Sequence, residues 1–145
     1  MSAPLDPRLI IDRLVAQVPA LQLVEGAAAY AAISSLRDFR TPSAYALLAR
    51  EEDADPEGLA HGRQRAIVKF GVVIAVGNYR DVRGGAETAD ELRPIVGAVR
   101  EALMGWLPPL AGARPIRWLQ GDVLDYDASV LLWAEVYQTQ QFIGD

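Results

Sequence analysis

Cysteine is absent from this 145-residue chain, and histidine and lysine occur once each, as His61 and Lys69. Without a thiol there is no disulfide framework, no thiolate metal site and no cysteine nucleophile. One histidine cannot assemble the familiar zinc sets, which need a second histidine or a cysteine. The densest apolar run, Phe70 to Gly77, is strand-sized and far short of the ~20 residues that span a bilayer. Asp6 and Arg8 precede the first apolar cluster, which is not the layout of a signal peptide or anchor. The expectation is a soluble protein that makes no membrane contact.

Positive charge is scarce as well. Nineteen acids stand against 14 bases, a net charge of −5, and this argues against broad nucleic-acid binding, which needs a basic face to displace counterions. Thirteen of the bases are arginine, a residue that suits fixed, bidentate ion pairs at interfaces. The length fits one domain, residues 1–145, able to bury roughly two thirds of the surface of its unfolded chain.

What is present is regular hydrophobic patterning. "LDPRLIIDRLVAQV" opens with Asp6 as N-cap and Pro7 at the first helical position, followed by Leu9, Ile10 and Leu14, and Pro19 ends the helix at Val18. The alanine-rich stretch from about 26 to 37 reads as a second helix. A strand over 43 to 50 leads into an acidic loop over 51 to 62. From 67 to 77 the even positions Val68, Phe70, Val72, Ile74 and Val76 are all apolar, the period of a strand with one face in the core. "TADELRPIVGAVREALMGW" carries a helical stripe from Leu92 to Trp106, with Thr88 and Glu91 at capping-box spacing and Pro94 awkward unless the helix starts later. "IRWLQGDVLDY" and "SVLLWAEVYQ" form a terminal hairpin, with Gly121 a candidate bulge. The order ααββαββ predicts an α+β two-layer sandwich: a mainly antiparallel sheet of about four strands with helices packed on one face.

Three places invite a chemical reading. The loop after the long strand, "GNYRDVRGG", has arginines and glycines near a helix start, where phosphate is often held. Its glycines lack GxGxxG and P-loop spacing, and Asp81, Glu87, Asp90 and Glu91 crowd the same place. An anion-binding enzyme using residues 78–85 is the alternative reading; a solvated or subunit-contacting turn is the ordinary one. "DADPEGLAHGRQ" sets Asp53, Asp55, Glu57 and Gly58 at calcium-loop positions, but Gln64 stands where a bidentate carboxylate is required. His61 could serve Ser34, Ser35, Ser43 or Ser129, yet none of these lies in a GxSxG elbow. No catalytic, metal or cofactor residue is assigned. In the last strand Val130, Leu132, Ala134 and Val136 form one face, and Leu131, Trp133, Glu135 and Tyr137 the other. The aromatic face, Trp133 and Tyr137, is either a partner contact or buried under a helix or the N-terminal segment.

Several stretches together resemble the tail terminator proteins of long-tailed bacteriophages: "VPALQLVEGAAAYAA", "TPSAYALLARE", and above all "NYRDVRGG" followed by a helix ending "ALMGWLP". The resemblance covers most of the chain in order. It implies a structural subunit, not an enzyme, that forms a ring, commonly a hexamer, on the last layer of the tail tube. Such a ring stops tube polymerisation and offers a face to a head-completion or connector protein. It further implies a place in the virion tail, with assembly in the host cytoplasm; another head–tail completion adaptor is the neighbouring alternative. Asn78, Tyr79, Arg80, Asp81 and Arg83 are then expected at contacts between subunits or with the tube protein. Glu51, Glu52, Asp53, Asp55 and Glu57 are expected to form an acidic loop that lines a passage, letting DNA slide through without sequence-specific binding.

Overall fold

The computed structural model describes residues 2–59, 62–80 and 88–144, with 78–80 and 88–90 described by their backbone. Helix α1 (Arg8–Gln17) is followed by β1 (Leu23–Gly26), α2 (Ala27–Ala31) and a 3-10 turn (Leu36–Asp38). Then come β2 (Ser43–Asp53), β3 (Gln64–Arg80), β4 (Thr88–Asp90), α3 (Leu92–Leu103), β5 (Arg117–Tyr126) and β6 (Val130–Ile143). The chain is α+β, as the sequence pattern predicts, but the sheet is mixed: five strands in the order β1-β2-β3-β6-β5, with β4 pairing the end of β3 off this path. β1 lies parallel to β2, and the other pairs are antiparallel.

The expected count of about four strands and the order ααββαββ are therefore corrected. The predicted second helix splits into β1, a five-residue α2 and the 3-10 turn. "LVEG" becomes a strand through its partner rather than its own pattern: Leu23 to Gly26 pair in step with Ser43 to Ala46. β2 runs on to Asp53 because β3 continues beside it, with Glu51 opposite Val68 and Asp53 opposite Ala66.

The long strand sets the core. All five even positions of β3 from Val68 to Val76 are buried, and they pack with Ile10 and Leu14 of α1 and with Ile95, Val96, Val99 and Leu103 of α3. Each such side chain contributes roughly 1.5–3 kcal/mol by leaving water, so this face holds most of the hydrophobic stabilisation. Asp6 accepts from Arg8 N at 2.9 Å, but α1 starts one residue later than expected: Pro7 stands at the N-cap position and no side chain caps the helix. α3 starts at Leu92, without a side-chain cap, so the Thr88–Glu91 capping box does not form. Pro94 thereby falls in the first turn, where its missing N–H costs nothing. Glu91 instead accepts from Gly77 N at 3.2 Å, tying the helix start to β3. The helix stops at Leu103, and Gly105, at φ 82°, turns the chain before Trp106.

Helices also occupy the other face. Tyr45, Val73, Ala75, Val130 and Leu132 form a second, smaller cluster, covered by Tyr30 of α2 together with Ile33, Leu36 and Phe39. Tyr30, Phe39 and Tyr45 make a ring trio with centroids 5.7–6.0 Å apart. The expectation of helices on one face fails because the odd positions of β3 are too apolar to be left wet.

Candidate assembly surfaces

The most elaborate polar constellation is centred on Glu135 of β6, whose side chain is fully buried. Its two oxygens accept five hydrogen bonds. Arg100 of α3 donates from Nε to Oε1 at 2.7 Å and from a terminal nitrogen to Oε2 at 3.0 Å. Trp118 of β5 and Trp133 donate their indole N–H groups to Oε2 at 3.1 and 3.0 Å, and the Tyr137 hydroxyl donates to Oε1 at 3.0 Å. Burial pushes the carboxyl pKa up, but the donors, Arg100 first, outweigh it and hold it below its ordinary value. The hydrogen bond from Arg100 to the carboxylate raises the guanidinium in turn. The Tyr137 hydroxyl is pushed far upward, by burial first and then by the neighbouring carboxylate.

Gly121 belongs to this cluster. It stands directly opposite Glu135, and the register irregularities of β5 lie to either side of it, between Trp118 and Gln120 and between Val123 and Asp125. A Cβ at Gly121 would come within 2.5 Å of Glu135 Oε2 and 2.8 Å of the Trp133 ring. The glycine is thus required by the close approach of the carboxylate, not by a bulge at its own position.

This arrangement fastens rather than reacts. The carboxylate is saturated with donors, the arginine is engaged bidentately and lies 4.9 Å from the Trp118 ring centroid, and neither offers a base or an acid to a substrate. Beside it a cleft of about 250 Å³ opens between α3 and the sheet, lined by Leu92, Val96, Gly97 and Trp133 among others. A larger cleft of about 580 Å³ lies at the opposite end, between the N-terminal segment and Pro109–Ala111. Among the described residues no three of His, Cys, Asp and Glu are gathered as metal ligands, and no helix is long and apolar enough to cross a membrane.

The sequence-predicted positions are distributed differently. Asn78, Tyr79 and Arg80 extend β3 past the start of β6, whose Val130 pairs with Gly77, and they pair only with Thr88–Asp90 of β4. They form a narrow two-stranded ribbon at one pole of the sheet. Asp81, Arg83 and His61 lie outside the described residues. The acidic stretch is not one loop: Glu51, Glu52 and Asp53 belong to β2. Glu51 accepts from Leu5 N at 3.0 Å and Gln141 Nε2 at 2.9 Å, and Glu52 pairs with Lys69 at 3.6 Å and Arg50 at 3.5 Å. Only Asp55 and Glu57 stand in the turn beyond. Tyr137 is buried on the face that α3 covers, and Trp133 is half-buried there. Of the two readings for that aromatic face, the structure takes burial under a helix. Sequence reading passed over Glu135 and Arg100; the available signal was an acid between Trp133 and Tyr137 on an apolar face, with a glycine across the hairpin.

The fold is an α+β domain with a buried, fully paired carboxylate and a strand ribbon at one pole. In the comparison with protein families, the model described as phage tail terminator protein matches residues 1–145, the whole chain. The chain belongs to the phage tail terminator family, a structural part of the bacteriophage tail. No curated protein matches it.

Proposed function

We propose that the chain closes the phage tail tube as a ring of identical copies, commonly six, that stops tube polymerisation and presents a docking face to the head-completion or connector protein. The whole-length family match carries this reading. The ribbon formed by β3 and β4 supports a contact role, because it extends past β6 and flanks the segment that carries Arg83. Asn78, Tyr79, Arg80, Asp81 and Arg83 make contacts between subunits or with the tube protein, and arginine–carboxylate pairs fix the register of those contacts. Asp55 and Glu57, in the turn beyond β2, face the passage through which DNA slides, and like charge keeps phosphates off the wall. Assembly takes place in the host cytoplasm before the ring enters the virion.

The test is complementation of a phage that lacks this chain. Wild-type protein should restore tails of uniform length and head attachment, whereas Arg80→Glu or Arg83→Glu should leave the fold intact and give overlong or headless tails. Normal tails from both charge reversals would remove the ribbon from the contact. Normal tails with no protein supplied would remove the terminator role.

A further inference from the structure

The sheet ends in two unlike edges, and among the described residues no strand pairs with the outer side of either β1 or β5. β5 is the apolar one: Trp118 is 37% exposed, Val123 48%, Leu124 50% and Tyr126 66%. An edge strand this apolar is a template for another strand. Val123 pairs with Trp133 and Tyr126 with Leu131, so both point to the side that α1 and α3 occupy. On that side α1 lies over β1 and β2, and α3 lies over β3. Beyond α3 no helix packs closely on β5 among the described residues; Arg100 reaches across to Trp118, and Val123 and Tyr126 stay exposed on that side.

The β1 edge carries what that face lacks. α1 packs beside β1 and exposes Val15 by 59%. A row across the sheet runs Val24, Ala44, Ile74, Trp133, Val123, so β1 stands level with the middle of β5. Strand sense agrees as well. β1 runs with β2, and three antiparallel steps later β5 runs opposite to it. Two copies set side by side in the same orientation bring β5 of one against β1 of the next as an antiparallel pair, with no slide along the strands. The α1 of the incoming copy then comes over the face that holds Val123 and Tyr126.

We propose that copies of this chain join head to tail through β5–β1 pairing, α1 of each copy completing the helical layer of its neighbour. The contact is heterologous, the kind that closes into a ring when the rotation per copy allows it. The inference adds a pair of surfaces to the ring reading and rests on that reading only for closure. Level pairing sets Glu25 of one copy across from Asp122 of the next, like charges that weaken the contact in the free chain.

Because the chain has no cysteine, two single variants, Val24→Cys and Val123→Cys, read this contact directly. Oxidised together at high protein concentration, they should give a disulfide-linked dimer that contains one of each, while neither gives a dimer alone. A mixture that stays monomeric overturns the proposal, as do equal dimers from either variant by itself. Asp122→Lys should tighten self-association severalfold in sedimentation; unchanged or weaker association overturns the level register and the proposal with it. Rings seen by negative stain without the mixed cross-link would leave the ring reading standing and remove this one. Cross-linked chains that never close would do the reverse.

Discussion

The two faces of the sheet bury polar groups in opposite ways. Under α3 a charged carboxylate is fully buried and receives five hydrogen bonds. Under α2 two uncharged hydroxyls, Ser43 Oγ and Tyr45 OH, are buried with no hydrogen-bond partner among the described residues. The charge is the costlier group to bury, yet its side is the better satisfied. Satisfaction follows the cover: a twelve-residue helix delivers Arg100 to a fixed place, whereas the cover around the five-residue helix and the 3-10 turn brings Tyr30, Ile33, Leu36 and Phe39, none of which partners those hydroxyls.

The sharpest way to break this contrast is Glu135→Leu. It strips the partner from Arg100, both indoles and Tyr137, and should cost about 3 kcal/mol in urea unfolding. The lower end of the usual range applies because the Arg100 side chain is 36% exposed and can turn to water. A pH series reads the same group. The folded-state pKa of Glu135 is depressed below its ordinary 4.5, so its stabilisation is complete above that value and is lost as pH falls through the lower folded value. Glu135→Gln should therefore lose less stability than wild type on acidification over that window; identical slopes would assign the acid sensitivity elsewhere.

Next in size is Gly121→Ala, about 2 kcal/mol destabilising, because the new methyl meets the carboxylate and the rigid Trp133 ring. A loss below ~0.5 kcal/mol in urea unfolding would show that the cluster relaxes freely, contrary to the tight packing that burial implies. On the other face the sign reverses. Tyr45→Phe removes an orphan hydroxyl and should raise stability by about 1 kcal/mol, seen as a higher thermal midpoint. A drop instead would mean that the hydroxyl has found a partner, and the two faces would then be alike. Smallest of all, Glu52→Gln breaks the half-exposed pairs to Lys69 and Arg50 and should change urea stability by less than ~0.5 kcal/mol.

Legibility in the sequence divides along the same line. The even positions of β3, the stripe on α3 and the start of α1 could be read because each is a local period that the packing then uses. β1 could not, since four residues hold no period and become a strand only by pairing with β2. The run Glu51–Asp53 looks like a loop because its polar groups suggest water, whereas the N-terminal segment and Gln141 satisfy Glu51 from far along the chain. Gly121 was legible as special and misread in kind: what it makes room for lies fourteen residues away on the next strand. The ribbon at 78–80 was marked from its charged continuation, and its strand character comes from β4.

The placement of the tryptophans has a practical consequence. All three indoles lie on the α1 and α3 side: Trp106 beside Arg13 of α1, Trp118 and Trp133 on the Glu135 carboxylate. The ring trio under α2 is built from tyrosine and phenylalanine alone. Indole-selective emission therefore watches the detachment of one helical layer and is blind to the other, so that the molecule carries a one-sided optical gauge of its own opening.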